Sequence, residues 1–334
     1  MCYNRIRTNG ATGVPVALFR IKGMNKVKIK SYAKVNLTLE IKGVENGYHQ
    51  IQSLVANVDV YDLLVLKKSK DKLSFVTMKG MGSESIPPQQ NNALKAAEAF
   101  SKAFDTCGAE ITVFKNIPIG AGLGGSSADV AGVLNGMAKL YGVTDREKLK
   151  EIADELGSDT GYMLNGGFAK ISGRGEKVQR LGLKNTLHFL LICPQSSVSA
   201  GACYRTYDEM PKTLEFLGDR TQNCIEALQK NDQNELGRCL MNDLFRSAYA
   251  LNEDVGTALE EAQSFSPLGA VMTGSGSCVL AMFETPELCA WAKSRYRGKF
   301  RTIVTKTLVP DYVGKEKGWK NPFVLSEDEI EELE

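Results

Sequence analysis

Pro118-Ile119-Gly120-Ala121-Gly122-Leu123-Gly124-Gly125-Ser126-Ser127-Ala128-Asp129 is the densest signal in this 334-residue chain. Glycine fills four of the six positions from 120 to 125, and two serines follow. Residues without a Cβ let successive backbone N–H groups face an anion. Directly behind the loop, Val130, Val133, Leu134 and Met137 recur at helical spacing, predicting a helix over about 127–141. A helix N-terminus behind such a loop adds its dipole and its free amides, which favours a phosphate. The hydroxyls of Ser126 and Ser127 add donors or a magnesium contact. A bare strand-to-helix turn needs fewer glycines than this.

Two better-known glycine loops are excluded by context. Gly120, Gly122 and Gly125 match G-x-G-x-x-G, but that fingerprint needs a following strand that ends in an acid about 20 residues on. Here that stretch is Thr144-Asp-Arg-Glu-Lys-Leu-Lys, the start of another helix. No lysine follows the glycines, so the loop is not a Walker loop either.

The strand and helix signals spread outward from the loop. Residues 26–42 alternate apolar and polar, a strand pattern, and further strands are expected at 51–67, 73–78 and 109–115, with a helix at 91–104. Ser126-x-x-Asp129 and Thr144-x-x-Glu147 have the form of capping boxes. The second opens a helix ending at Gly157, and a glycine-rich hairpin follows over 162–180. From about 187 the pattern restarts with a strand at 187–193 and helices near 219–229, 233–247 and 253–264. Strands at 269–273 and 277–283, a helix at 286–296 and a strand at 300–308 complete it. The class is α+β. The expected division is an extension over 1–24, domains over 25–185 and 186–310, and an acidic tail over 311–334.

Bulk properties narrow the function classes. Hydrophobic residues make up 43% and charged ones 24%, with a net charge of +2. That balance argues against nucleic acid as a partner, which would need a concentrated basic face. No apolar run reaches membrane-spanning length, so no membrane partner is expected. The eight cysteines form no C-x-x-C pair and there are only two histidines, so no metal site is expected. Reduced, buried thiols fit a cytoplasmic protein. The first 23 residues carry Arg5, Arg7, Arg20 and Lys22 without an acid, as a transit peptide would. They are short and serine-free, and Met24 precedes a strand pattern. An upstream extension or alternative start is therefore expected, with a plastid-type compartment as the other reading.

With these residues in view, Pro-x-x-x-Gly-Leu-Gly-Gly-Ser-Ser resembles the central motif of the GHMP kinases, the superfamily of galactokinase, homoserine kinase, mevalonate kinase and phosphomevalonate kinase. Ala33-Lys34-Val-Asn36-Leu-Thr-Leu resembles their first motif and Val271-Met-Thr273-Gly274-Ser275-Gly276-Ser277 their third. Within the superfamily the chain most resembles the 4-diphosphocytidyl-2-C-methyl-D-erythritol kinases. The carriers are Gly47-Tyr48-His49-Gln50, Asn91-Asn-Ala-Leu-Lys95, Gly157-Ser-Asp159, Gly173-Arg-Gly175-Glu176, and Pro194 with Val198-Ser199 and Tyr204. The resemblance covers about residues 26–310. Three departures stand out. Ser126 replaces a usual glycine, Thr273 a usual serine, and Thr160-Gly161 a usual Val-Pro beside the aspartate at the catalytic-base position, which bears on substrate choice.

The resemblance implies a ribosomal protein S5 domain 2-like N-terminal domain, a ferredoxin-like C-terminal domain, and a site in the cleft between them. It implies ATP as phosphoryl donor, with Mg2+ held mainly through the ATP phosphates, and a cytidine diphosphate-linked polyol as acceptor. Asp159 takes the position of the catalytic base and Lys34 that of its partner lysine. Alone, Asp159 reads as a turn residue and Lys34 as a strand residue facing solvent. Pro118, Gly120, Ala121, Gly122, Leu123, Gly124, Gly125, Ser126, Ser127 and Ala128 take the phosphate-loop positions. Asn91 and Lys115 match positions around the adenine, and Lys115 also reads as a solvated strand end. For the acceptor, Tyr48 and Tyr204 would sandwich the cytosine, His49 would read its edge, and Asn36 would bind near Lys34. Gly274, Ser275 and Gly276 would close on substrate phosphates or form a plain hairpin turn. Other alcohols, such as homoserine or mevalonate, and a non-catalytic binder on the same scaffold are the rival readings. A monomer or homodimer is expected.

Overall fold

The computed structural model of the chain describes residues 25–80, 82–83, 91–211 and 218–309. The N-terminal extension over 1–24 and the acidic tail lie outside these residues. The first half runs β1 (Lys26–Asn36), β2 (Thr38–Glu45), β3 (Tyr48–Lys68), β4 (Phe75–Gly80), α1 (Asn92–Phe104) and β5 (Ala109–Lys115). It continues with α2 (Gly125–Tyr141), α3 (Arg146–Leu156), α4 (Thr160–Met163), β6 (Ala169–Gly173) and β7 (Lys177–Arg180).

The 21-residue β3 is the axis of the first sheet, pairing antiparallel with β1, β2, β5 and β6 along successive parts of its length. From Val58 onward its inward positions are Val58, Val60, Asp62, Leu64 and Leu66, all buried. This two-residue period makes one face of the strand core, and Asp62 is its only charged member. Helix α2 packs on this sheet with apolar residues on most of its surface, and Val133, Leu134 and Met137 have no exposure. Truncating Leu134 to alanine would cost about 2–5 kcal/mol. Gly132 lets the helix approach β1, since a Cβ there would stand 2.0 Å from Ser31 Oγ.

The second half contains β8 (His188–Cys193), α5 (Ala200–Glu209), α6 (Arg220–Gln229), α7 (Gln233–Cys239), β9 (Met241–Asn242) and α8 (Phe245–Leu251). Then come α9 (Glu253–Gln263), β10 (Gly269–Met272), β11 (Val279–Phe283), α10 (Pro286–Arg295) and β12 (Arg301–Lys306). Its sheet has the order β10-β11-β8-β12, with every neighbour antiparallel. Backbone pairing joins the two halves. Strand β9 pairs parallel with β2, and Val58 bridges to Thr307. One apolar core runs through both halves.

Four sequence expectations need correction. Asp129 does not cap α2: Gly124 is the N-cap, no side chain caps the helix, and Asp129 is buried inside. Asp145, one residue after Thr144, caps α3 by accepting from Lys148 N at 2.9 Å. The helix expected over 233–247 is two helices, parted where Met241 and Asn242 leave to pair with β2. Tertiary pairing there overrides the local helical pattern. The segment expected as a hairpin over 162–180 begins with α4 and becomes a hairpin only from Ala169. Helix α5, capped by Ser199, had no expectation.

Candidate active site

Strand β1 delivers the first site residues. Its register against β3 shifts between Tyr32 and Lys34, setting Ala33 opposite residues 58–60. Such a bulge bends a strand and re-aims its side chains. Beyond it, Lys34 N donates to Leu123 O at 3.0 Å, fixing the strand end to the glycine loop. The buried Lys34 Nζ donates to Asn36 Oδ1 and lies 3.4 Å from Asp159 Oδ2. Asn36 in turn donates through Nδ2 to Ser53 Oγ at 2.8 Å and through its backbone N–H to Thr273 Oγ1 at 2.9 Å. Asp159 stands at the start of α4 but makes no capping bond, and 30% of its side chain is exposed. Its carboxylate faces the lysine and open space.

The loop lies beside this pair. Gly122 and Gly124 have φ of +75° and +70°, which L side chains rarely adopt, and the space around them is closed. A Cβ at Gly122 would stand 2.1 Å from Thr273 O, and one at Gly124 would meet Met163 at 2.6 Å and Lys34 Cγ at 3.0 Å. Loop, first motif and third motif are therefore packed backbone to backbone. Asn242 holds the third motif from the other side, donating to Met272 O at 2.7 Å and Gly274 O at 2.8 Å. The first bond within α2 is Ala128 N to Gly124 O. The amides of Gly125, Ser126 and Ser127 thus have no partner in the helix, the arrangement that binds anions.

Lys115 is buried rather than solvated. It pairs with Asp62 and, at 2.6 Å, with Asp129. Asp62 also accepts from the backbone N–H groups of Asn116 (2.6 Å) and Ile117 (2.8 Å), which brace the entry to the loop. Burial pushes the Asp129 carboxyl up to about 7; Lys115 pulls it down and Asp62 adds to the rise. The two carboxylates outweigh the desolvation of Lys115 and hold its ammonium above its usual value. Asp129 Oδ1 is buried without a partner.

Two clefts of about 320 and 360 Å³ open along the loop, each at the small end of the range for a small-molecule site. The first is lined by Asn91, Lys115, Pro118 and residues 120–127. The second is lined by Lys34, Asn36, Asp159, Tyr204, Gly274 and Ser275, with Ser158 and Arg174. Gly122, Gly124 and Ser127 line both. Of the predicted site residues, Ala128, Tyr48, His49 and Gly276 do not line either cleft. Ala128 is buried behind the loop. His49, and not Tyr48, is the ring stacked on Tyr204, with centroids 4.7 Å apart, and Asp208 bonds its Nε2 at 2.8 Å. Tyr48 is exposed, and Arg174 lies over its ring. Burial, and then the charge of Asp159, push the Tyr204 phenol up to about 12, so it stays neutral.

The sequence reading missed Asp62, Asn242, Asp208, Ser158 and Arg174. The one visible signal was Asp62, a charge in a row of alternating apolar residues. Arg174 stood in the quoted Gly173–Glu176 stretch, but nothing local gave it a role.

A phosphate-type loop that walls two clefts, with a lysine–carboxylate pair in one of them, defines a phosphoryl-transfer enzyme of the GHMP kinase class. Family profiles agree: the one described as GHMP kinases N terminal domain matches residues 91–171, and GHMP kinases C terminal matches 224–293. A 4-diphosphocytidyl-2-C-methyl-D-erythritol kinase of Caldanaerobacter subterraneus subsp. tengcongensis is 36% identical over 293 residues, covering 85% of this chain and 97% of that protein. Another so named, from Carboxydothermus hydrogenoformans, is 34% identical over 75% of this chain and 86% of its own length. A crystal structure of 4-(cytidine 5'-diphospho)-2C-methyl-D-erythritol kinase superposes with a TM-score of 0.68 and 26% identity, covering 84% of this chain and all of that one. Homoserine kinase from Cytophaga hutchinsonii, at 19% identity and a TM-score of 0.66, shares the fold. The chain belongs to the 4-diphosphocytidyl-2-C-methyl-D-erythritol kinase family of GHMP kinases.

Proposed function

We propose that this enzyme transfers the γ-phosphoryl group of ATP to the 2-hydroxyl of 4-diphosphocytidyl-2-C-methyl-D-erythritol, in the methylerythritol phosphate route to isoprenoids. The observation that carries this reading is the shared wall. Gly122, Gly124 and Ser127 face both clefts, and Asp159 stands beside Lys34 in the second. A triphosphate held by the loop amides would present its terminal group to an acceptor in the second cleft.

Phosphoryl transfer is mainly positioning and charge stabilisation. Asp159 takes the proton of the attacking hydroxyl as its oxygen bonds to the γ-phosphorus, while the bond to the β–γ bridging oxygen breaks and ADP leaves. Lys34 orients the carboxylate and offsets charge on the acceptor oxygen. Asn36 holds Lys34 in place. The adenine end would lie toward Asn91, and the cytosine toward Tyr204 and His49. The donors along the clefts, Ser126, Ser127 and Asp159, are the hard oxygens magnesium accepts, and no cluster of three metal-ligating side chains occurs among the described residues. These residues suit a Mg2+ carried mainly on the phosphates, which when bound neutralises phosphate charge. We place the enzyme in the cytoplasm: the relatives named above are bacterial, and all seven cysteines of the described residues are free thiols.

ADP release measured over a panel of alcohols tests the reading. Turnover of the cytidyl diphosphate substrate is expected, with little from homoserine or mevalonate. Turnover of homoserine and none of the cytidyl compound would replace the assigned acceptor.

A further inference from the structure

We propose that Arg174 grips the diphosphate of the acceptor and so makes the enzyme prefer a nucleoside diphosphate-linked polyol to a free alcohol. This rests on the function proposed above.

Arg174 sits at the tip of the turn joining β6 and β7, and that turn is held on both sides. The Glu176 carboxylate folds back to accept the Arg174 backbone N–H at 2.7 Å. It lies so close over Gly173 that a Cβ there would stand 2.4 Å from Glu176 Oε1. On the other side a Cβ at Gly175 would lie 3.2 Å from Ser158 Cβ, so the tip abuts the residue that precedes Asp159. The guanidinium is 4.8 Å from the centre of the Tyr48 ring. Tyr48 adjoins His49, whose ring stacks on Tyr204. Arg174, Tyr204 and Asp159 line one cleft, so the guanidinium can meet the diphosphate of an acceptor whose base lies toward Tyr204 and whose reacting hydroxyl lies at Asp159.

Charge points the same way. Two phosphates must enter a cleft that already holds the Asp159 carboxylate, and like charges repel there. The cations lining this cleft are Lys34 and Arg174. Lys34 is engaged by Asp159 and Asn36. The Arg174 guanidinium has no carboxylate partner among the described residues and lies over the Tyr48 ring. A guanidinium stacked on an aromatic face keeps its N–H fork free, and that fork matches phosphate oxygens two at a time, as an ammonium does not.

The test compares wild type with R174A and R174K in steady-state assays with ATP and 4-diphosphocytidyl-2-C-methyl-D-erythritol. Inhibition by cytidine diphosphate and by cytidine is measured beside them. R174A should raise the KM of the acceptor about 10- to 100-fold, the size of one or two charge-assisted hydrogen bonds. It should lower kcat far less and leave the KM of ATP unchanged. Wild type should bind cytidine diphosphate more tightly than cytidine; R174A should lose most of that ratio, and R174K should recover only part of it. An unchanged acceptor KM and an unchanged inhibitor ratio in R174A overturn the role of Arg174 and leave the function standing. An equal rise in both KM values, with a lowered Tm, also overturns it, because the turn would then be merely structural. Wild type that does not phosphorylate the cytidyl compound overturns the function, and this inference with it.

Discussion

Lys34 and Lys115 are both buried, both lie on strands flanking β3, and both touch the elements that carry the phosphate loop, yet their surroundings are opposite. Lys115 is closed in: its side chain is 3% exposed, and its partners Asp62 and Asp129 are 0% and 5% exposed. Lys34 is 6% exposed, but Asp159 is 30% exposed and 3.4 Å away. So little exposed, and with Asp62 also accepting from the amides of Asn116 and Ile117, this ion cluster braces the loop. A looser pair with one open member can admit a substrate hydroxyl. The same side chain thus supports structure behind the loop and, in the proposed reaction, chemistry in front of it, with the exposure of its carboxylate partner marking the difference.

The largest expected effect falls on the open side. Asp159→Asn should lower kcat about a thousandfold, within the usual worth of a general base, with ATP affinity retained. Fluorescence titration with an ATP analogue and single-turnover assays would measure both. Unchanged turnover would remove Asp159 from the mechanism. On the closed side the loss should be in stability. Lys115→Met leaves two buried carboxylates facing each other and should cost about 3–5 kcal/mol in denaturant unfolding. Asp159→Asn should cost under about 1 kcal/mol in the same measurement, as for a partly exposed pair. Equal losses of stability in the two variants would erase the distinction drawn here.

Smaller effects sharpen it. Tyr204→Ala should raise the acceptor KM about tenfold or more, the worth of one stacked base, with a smaller fall in kcat; a pure kcat effect would argue against stacking. Asp129 titrates near 7 in the fold and near 4 in the unfolded chain. The folded protein therefore holds a proton that the unfolded chain has shed, and this group makes wild type lose stability as pH rises from about 4 to about 7. Asp129→Asn lacks that loss, so its Tm should gain on that of wild type between pH 5 and 8. A constant Tm difference would mean that Asp129 is ionised throughout.

Much of this was legible in the sequence, where local rules act alone. Helix α2 and its glycine loop, strand β5 and the elements from α9 to β12 follow from spacing and turn chemistry. Asp129 shows where such rules end: Ser126-x-x-Asp129 has the letters of a capping box, but a lysine 14 residues earlier claims the carboxylate. Met241 and Asn242 were read as helix because their strand partner, Thr38 with Leu39, lies some 200 residues away. The stacking of His49 on Tyr204 likewise joins two segments that no local pattern relates. Residues whose partners are distant in the chain are the ones that sequence patterns misplace.

The wall common to both clefts has a bearing on ligand design. Gly122, Gly124 and Ser127 line both clefts, so the two adjoin along the loop. One compound could therefore straddle it with a short tether, seating a purine fragment on one side and a polyol fragment on the other. Occupying the first chamber would then raise the local concentration of the second fragment, and two weak binders would act as one strong one.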